Sequence, residues 1–205
     1  MTDASLKEHW EKVYTKTETE KRGWYQKIPV ISLELYELTG AHTGQKILDV
    51  GGGTSHLSEG INVQLNQLTI LDISEAAISE LQTELKDHSH HIHFLSGDIC
   101  SVKFNDTFDI WHDRAVFHFL TEAEDRKQYI DQLNQYLKPG GWLILATFAS
   151  DGPEKCSGLP VRRYSKESLS ETLGKNFELK KTVYYTHHTP SGNEQKYIYC
   201  LFHKN

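Results

Sequence analysis

The chain has 205 residues, of which 38% are hydrophobic and 24% are charged, and its formal net charge is −6. This composition supplies enough apolar side chains for a folded core and excludes a disordered chain. The negative charge argues against a nucleic-acid partner, because binding along phosphates requires a basic surface. The length predicts one domain over residues 1–205.

Targeting and membrane signals are not found in the sequence. No segment approaches the roughly 18 consecutive apolar residues of a membrane span, and residues 1–10 lack the pattern of a signal peptide. Three widely spaced cysteines without a C-x-x-C pair argue against a disulfide framework. We therefore expect a cytoplasmic protein with no membrane partner.

Residues 1–43 predict a helical N-terminal cap. Leu6 and Trp10 recur at the spacing of one helix face. Pro29 is suited to open a second helix, and Gly40 is suited to end it.

From residue 44 to residue 205, short apolar runs alternate with helical periodicity. Ser74 is placed to cap one of the intervening helices, and residues 121–124 have the form of a capping box before another. Such alternation predicts a parallel sheet with helices on both faces. The apolar runs that predict strands are residues 46–50, 69–73, 92–98, 108–114 and 141–148.

The end of the chain breaks this alternation. After a predicted helix at 165–174, residues 177–189 and 194–202 are rich in β-forming side chains, with turn residues between them. They predict an antiparallel hairpin. The expected fold class is therefore α/β: a Rossmann-like, mostly parallel seven-stranded sheet with helices on both faces, a C-terminal antiparallel β-hairpin and the helical N-terminal cap.

A glycine-rich turn that includes Gly51 and Gly53 follows the first predicted strand. Glycines let the backbone turn sharply and approach a ligand. His56 stands where a dinucleotide fingerprint requires glycine, and Asp49 beside the turn would repel a pyrophosphate but attract a cationic amine. The alternative is that Asp49 only caps the turn.

Two further carboxylates follow the next predicted strands. Asp72 lies 19 positions after Gly53 (72 − 53), about the distance at which an acidic residue accepts hydrogen bonds from ribose hydroxyls. Its alternative role is a favourable charge at a helix N-terminus. Asp98 is placed to accept an adenine amino hydrogen, with Ile99 against the ring.

Four segments, in this order, resemble motifs of class I S-adenosylmethionine-dependent methyltransferases, namely residues 48–55, 71–74, 96–99 and 137–142. Trp10, Tyr14 and the Trp24–Tyr25 pair resemble the methyltransferase-like branch. The resemblance implies S-adenosyl-L-methionine as the cofactor. The residues that it implies for cofactor binding are Asp49, Gly51, Gly53, Asp72, Ile73, Asp98 and Ile99.

The fourth predicted strand ends in charged residues, at the edge that faces the methyl group in that family. His112 or His118 is a candidate general base. Asp113 is a candidate to orient that base or bind a cationic acceptor, and Arg114 to bind an acidic one. Alternatively, Asp113 and Arg114 pair with each other while the histidines pack, and an acceptor that is already deprotonated needs no base.

Other candidates bear on the acceptor. Trp24 and Tyr25 are placed either to cover the sulfonium cation with aromatic rings or to pack against the sheet. Arg162 is a candidate for an acidic substrate, or a solvated charge. Cys156 is expected to be an exposed cysteine in a loop, and the alternative is a thiol that binds the acceptor. The predicted substrate-binding residues are thus Trp24, Tyr25, Arg114 and Arg162.

No metal site is predicted, because His88, His90, His91 and His93 form a polar connection without a carboxylate or cysteine set. The sequence thus predicts an enzyme that moves a methyl group from S-adenosylmethionine to a small-molecule or protein side-chain acceptor by in-line displacement. The alternatives are a non-catalytic S-adenosylmethionine-binding partner subunit and a nicotinamide-dependent oxidoreductase. The sequence specifies neither the acceptor nor the oligomeric state.

Overall fold

The structure, a computed structural model, describes residues 3–40, 43–86 and 91–205. Seven strands form its main sheet: β1 (Lys46–Val50), β2 (Gln67–Asp72), β3 (Ile92–Ser96), β4 (Phe108–Arg114), β5 (Leu137–Phe148), β8 (Phe177–His188) and β9 (Glu194–Lys204). Their spatial order is β3-β2-β1-β4-β5-β9-β8. Strands β1 to β5 are parallel, whereas β9 is antiparallel to both β5 and β8. The fold-class prediction, including the C-terminal hairpin, is confirmed.

Helices cover both faces of this sheet. They are α1 (Asp3–Lys16), α2 (Val30–Leu38), α3 (Leu57–Gly60), α4 (Glu75–Glu84), α5 (Ala123–Tyr136) and α6 (Lys166–Leu173). Leu35 of α2 and Leu81 of α4 belong to the apolar core on one face, while Leu133 of α5 and Leu169 of α6 belong to the core on the other. A small separate pair, β6 (Lys155–Cys156) and β7 (Leu159–Pro160), follows β5. Within the described ranges, no helix is long and apolar enough to cross a membrane.

The predicted helix boundaries are confirmed at two places and wrong at a third. Gly40 follows the end of α2 with φ +67°, and the Ser74 hydroxyl accepts from the Ala77 amide at the start of α4. The capping box predicted at residues 121–124 does not form. The N-cap of α5 is Glu122, so the helix begins one residue later than the box requires, and no side chain caps it.

Arg22 fixes the N-terminal cap over the carboxyl edge of the sheet. Its side chain is buried and donates to the Glu80 carboxylate at 2.8 Å, to the Tyr14 carbonyl at 3.1 Å and to the Thr54 hydroxyl at 3.0 Å. One guanidinium therefore joins α1, α4 and the glycine-rich turn.

A buried lysine fastens the last strand to the end of α5. Lys204, which is only 6% exposed, donates from Nζ to the carbonyls of Leu133, Asn134 and Leu137. These carbonyls lie at or just after the C-terminus of α5, where a cation is favourable; the Leu133 carbonyl also accepts from the Leu137 amide. The chain thereby ties its C-terminal hairpin to the parallel part of the sheet.

We expect Lys204→Met to lower the free energy of unfolding by about 3 kcal/mol, because buried carbonyls lose a charged donor. Urea denaturation followed by circular dichroism measures the change. The matched control is Lys127→Met on the exposed face of α5, where the lysine pairs with Asp131 and we expect a change below about 0.5 kcal/mol. Equal effects of the two substitutions would contradict a structural role for Lys204.

Candidate functional site

Two adjacent cavities border the carboxyl ends of β1, β2, β3 and β4, the edge at which ligands of open α/β sheets bind. We call them the larger and the smaller cavity. The larger cavity is lined by residues that include Tyr14, Asp72, Ile73, Gly97, Asp98 and Ile99. The smaller cavity is lined by residues that include Tyr25, Asp49, Gly52, Ser55 and His112. Four residues line both and form what we call the shared rim: Trp24, Val50, Gly51 and Arg114.

At the glycine-rich turn, backbone that carries no side chains borders the shared rim. Gly51 has φ +66°, and a Cβ on it would lie 2.1 Å from Cγ2 of Val116. Gly53 has φ +28°, and a Cβ there would lie 2.3 Å from the Tyr14 hydroxyl and 2.8 Å from Oδ2 of Asp72. Both positions therefore require glycine for conformation and for space.

Asp49 presents one unused carboxylate oxygen to this turn. Its side chain is buried, and Oδ1 lies 2.7 Å from Nδ1 of His112. Oδ2 is buried and has no hydrogen-bond partner within the described part of the chain. It lies 2.8 Å from where a Cβ on Gly52 would be. A buried carboxylate oxygen without a partner is unfavourable unless a donor or a cation satisfies it.

Asp72 lies at the end of β2 and is likewise buried. Its carboxylate accepts from the Ser74 amide at 2.9 Å and from the Gly53 amide, and the Tyr14 hydroxyl lies 3.5 Å from Oδ2. Burial raises the pKa of Asp72 to about 7, although the two amides and Tyr14 favour the ionised form. Asp72 therefore changes charge near neutral pH.

The third carboxylate lies at the far end of the larger cavity. Asp98 is half-buried and its Oδ1 accepts from the Cys100 amide at 2.9 Å. Ile99 beside it is buried, and Ile73 lies on the same cavity wall. The structure thus brings all seven residues predicted for cofactor binding to the two cavities or to the turn between them.

His112 has both ring nitrogens engaged by protein groups. Nδ1 lies 2.7 Å from Oδ1 of Asp49, and Nε2 lies 2.8 Å from the Ser32 hydroxyl on α2. The parallel register places Asp49 directly beside His112 on the same face of the sheet. This geometry is that of a residue that holds Asp49, and it leaves no ring nitrogen free to take a proton from an acceptor.

Asp113 points to the opposite face of the sheet, as alternation along β4 requires. It is fully buried and accepts from the amides of Val116 and Phe117 and from the Tyr129 hydroxyl at 2.7 Å. Burial raises its pKa to about 6, against the effect of these donors. Asp113 lines neither cavity, so it fixes the turn after β4 and does not pair with Arg114.

His118 is also directed into the protein. Its Nδ1 accepts from the Phe148 amide at 3.3 Å, and its Nε2 is buried without a partner among the described residues. Burial, together with the charge of Arg114, lowers the pKa of His118 to about 3, so the ring is neutral at physiological pH. His118 is absent from the lining of both cavities.

Three of the four residues predicted to bind substrate line a cavity, and the fourth does not. Trp24 and Arg114 lie on the shared rim, where Nη1 of Arg114 donates to the Trp24 carbonyl at 2.9 Å. Tyr25 lines the smaller cavity. Arg162 is exposed beside the ring of Tyr164 and lines neither cavity.

Cys156 is buried, so the prediction of an exposed cysteine is wrong. It lines the larger cavity, and burial raises its pKa to about 11. It lies in β6, which pairs with β7, and it belongs to the apolar core that includes Phe148 and Tyr197.

The predicted absence of a metal site stays a prediction, since His88 and His90 lie outside the described residues. Elsewhere in the described chain, His56, Glu59 and Glu84 lie close enough together to share an ion, but both carboxylates are exposed.

Ser32 and Tyr197 contribute to this edge without having been predicted. Ser32 is buried in the first turn of α2, and a polar side chain on a helix's apolar face is a signal for such a contact. Tyr197 lies on β9, and its hydroxyl is buried without a partner among the described residues. Its place beside Arg114 depends on how β9 pairs with β5, which periodicity does not reveal.

Comparison with known proteins identifies relatives of the central segment. Residues 47–141 match the family model described as methyltransferase domain. The chain is 34% identical over 118 residues to a malonyl-[acyl-carrier protein] O-methyltransferase of Paenibacillus sp., covering 53% of this chain and 41% of that protein. It is 28% identical over 113 residues to the ubiquinone/menaquinone biosynthesis C-methyltransferase UbiE of Coxiella burnetii, covering 52% and 44%. The match thus spans less than half the length of these two relatives.

Solved structures share the fold at low sequence identity. The 1,6-didemethyltoxoflavin-N1-methyltransferase of Burkholderia thailandensis, solved with bound 1,6-didemethyltoxoflavin and S-adenosylhomocysteine, has a TM-score of 0.77 at 18% identity, covering 98% of this chain and 88% of that chain. The N-methyltransferase NodS of Bradyrhizobium japonicum, solved with S-adenosylhomocysteine, has a TM-score of 0.72 at 16% identity, covering 95% and 97%.

The ionisation of Asp72 predicts a pH-dependent stability. Its pKa rises from 3.8 to about 7 on burial, so the folded state binds the proton more tightly between these values. Stability should therefore fall as the pH rises from about 4 to about 7. Relative to Asp72→Asn, we expect wild type to lose up to about 4 kcal/mol of unfolding free energy across this range, at about 1.4 kcal/mol per pKa unit.

Urea denaturation of both proteins at pH 4 and pH 8 measures this difference, with exposed Asp131→Asn as the control. A difference between wild type and Asp72→Asn that does not change with pH would mean that Asp72 ionises like an exposed carboxyl group.

Proposed function

We propose that this chain, a member of the class I S-adenosylmethionine-dependent methyltransferase family, transfers a methyl group from S-adenosylmethionine to a small-molecule or protein side-chain acceptor. When bound, the cofactor supplies a methyl group on a positively charged sulfur, which a nucleophile displaces in line. The protein's residues bind the cofactor and position the acceptor, and positioning alone accounts for a large part of such rates.

The unpartnered Oδ2 of Asp49 is the observation that carries this proposal. It is a buried anionic oxygen without a partner in the described chain, and it faces the glycine-rich turn. The methionine end of the cofactor carries an ammonium group, which would satisfy this oxygen as an ion pair. A nicotinamide dinucleotide would instead bring a pyrophosphate beside the carboxylate, which is unfavourable.

The larger cavity suits the adenosine end. Asp72 would accept hydrogen bonds from the ribose hydroxyls, and Asp98 would accept one from the adenine amino group. Ile73 and Ile99 would pack against the base. Gly51 and the rest of the turn let the backbone approach the methionine part.

The shared rim is where the two halves of the cofactor would meet. The sulfonium joins methionine to adenosine, and the indole of Trp24 offers an aromatic face that favours a cation. The acceptor would approach at this rim. We therefore assign Trp24 and Arg114 to the acceptor side of the site.

The acceptor's identity is not carried over from relatives. Their names specify an oxygen, a carbon and a nitrogen as methylated atoms in different proteins.

The same proposal takes residues 1–205 as one domain, with the cap at 1–43 and the core at 44–205. A cytoplasmic location stays a prediction.

Isothermal titration with S-adenosylhomocysteine and with NADH tests the cofactor assignment. We expect the former to bind and the latter not to bind. Asp49→Asn should weaken S-adenosylhomocysteine binding about 10- to 100-fold, because it removes one charge of a buried ion pair. Asp131→Asn, an exposed substitution on α5, should leave the affinity unchanged.

Tight binding of NADH alone would favour the oxidoreductase. Binding of S-adenosylhomocysteine without transfer of labelled methyl to any acceptor would favour the non-catalytic subunit. An unaltered affinity in Asp49→Asn would remove Asp49 from the site.

The contacts of His112 predict that it acts through Asp49. His112→Leu should lower the affinity for S-adenosylhomocysteine by at least as large a factor as it lowers turnover. His112→Asn, whose amide can still donate to Asp49, should retain more of that affinity. A loss of turnover with full cofactor affinity would instead support the general-base role that the sequence suggested.

A further inference from the structure

We infer that the methyl acceptor carries a carboxylate that binds to the free guanidinium nitrogen of Arg114 and to the hydroxyl of Tyr197. The inference rests on the proposed function and names the substrate class for the same site. It is carried by two buried, unpartnered polar groups. One is Nη2 of Arg114, whose side chain lies on the shared rim; the other is the hydroxyl of Tyr197, whose ring lies against that guanidinium but lines neither cavity.

Arg114 has neutral partners for only part of its side chain. Nε donates to the Tyr199 hydroxyl at 3.0 Å and Nη1 donates to the Trp24 carbonyl at 2.9 Å. Nη2 is buried and has no partner within the described chain. Among the described residues, no carboxylate forms an ion pair with this guanidinium.

A buried, unpaired cation is costly, and removal of its partner anion typically costs several kcal/mol. An anion that binds such a guanidinium gains charge-assisted hydrogen bonds, which are stronger than neutral ones and match the geometry of a carboxylate. Arg114 is also the one lysine or arginine among the described residues lining the two cavities. A single cation with one free nitrogen matches a monoanion better than a phosphate.

The free nitrogen belongs to the acceptor side of the site. Arg114 lies opposite Ala146 on β5, which in turn lies opposite Tyr199 on β9. The small alanine lets the arginine side chain reach across β5 to the Tyr199 hydroxyl on β9, whereas β1 and Asp49 lie on the other side of β4. The anion that it binds is therefore placed on the far side of the rim from Asp49.

Tyr197 supplies a second donor. Its ring lies under the guanidinium, with Cζ of Arg114 5.3 Å from the ring centroid. Its hydroxyl is buried without a partner among the described residues, and burial raises its pKa, so it remains a neutral O–H donor. His118 and His187 also feel the charge of Arg114, and burial keeps both pKa values low. These neighbours therefore add no competing charge.

The test measures binding to the protein loaded with S-adenosylhomocysteine. Acetate, benzoate and phenylacetate are each titrated beside the corresponding neutral amide. We expect a preference of about tenfold or more for the carboxylate in at least one pair, since charge-assisted hydrogen bonds are stronger than neutral ones. Arg114→Gln should abolish this preference, and Arg114→Lys should restore part of it. Exposed Arg163→Gln, with the same change in charge, should leave it intact.

Tyr197→Phe provides the variant that does not threaten the fold, because it removes only an unsatisfied hydroxyl. We expect it to lower carboxylate affinity about three- to tenfold with S-adenosylhomocysteine affinity unchanged. If Arg114→Gln loses its folded circular dichroism spectrum, an unchanged carboxylate preference in Tyr197→Phe overturns the inference.

Other results also decide the question. The inference fails if no carboxylate is preferred over its amide, or if the preference survives in folded Arg114→Gln. It also fails if Arg114→Gln weakens S-adenosylhomocysteine about tenfold while carboxylate preference persists, since Arg114 would then bind the cofactor's own carboxylate. Failure of wild type to bind S-adenosylhomocysteine would instead refute the proposed function.

Discussion

The hydrogen-bonded series Asp49–His112–Ser32 is the interaction on which the ligand edge depends. The parallel pairing of β1 and β4 sets the carboxylate beside the imidazole, and α2 supplies the hydroxyl that engages the other ring nitrogen. The imidazole therefore cannot rotate without breaking a buried hydrogen bond. The imidazole thereby holds Oδ1 of Asp49 and leaves Oδ2 pointing toward the glycine-rich turn. Helix α2 of the N-terminal cap is thereby held in a fixed position relative to the glycine-rich turn.

Two unsatisfied groups of opposite sign frame the shared rim. Oδ2 of Asp49 is buried on the β1 side, and Nη2 of Arg114 is buried on the β9 side. They do not neutralise each other, because His112 holds the carboxylate and Tyr199 and Trp24 hold the guanidinium. In our proposal, the ammonium group of the cofactor pairs with Asp49, and the carboxylate of the acceptor pairs separately with Arg114. The fixed field of the protein then orients the two reactants before they meet.

The backbone was more predictable from sequence than the side-chain contacts. Strands at 46–50 and 108–114 have the predicted limits. Both are buried along nearly their whole length, so their side chains do not alternate between buried and exposed positions. The placement of Asp49, Asp72 and Asp98 at the carboxyl edge of the sheet could be predicted because each follows or ends a predicted strand. The roles of Asp113 and His118 did not, because they depend on which face each side chain takes and on a distant partner such as Tyr129. The burial of Cys156 likewise depends on a loop fold that no periodicity encodes.

The position of Arg22 has a kinetic consequence. Tyr14 lies between Asp72 and the guanidinium of Arg22, which stacks 4.6 Å from the tyrosine ring and holds its carbonyl. A molecule that reaches Asp72 past Tyr14 would have to turn the tyrosine ring away from the guanidinium that stacks on it. In our proposal, this stacking would slow the exchange of spent for fresh cofactor beside Asp72.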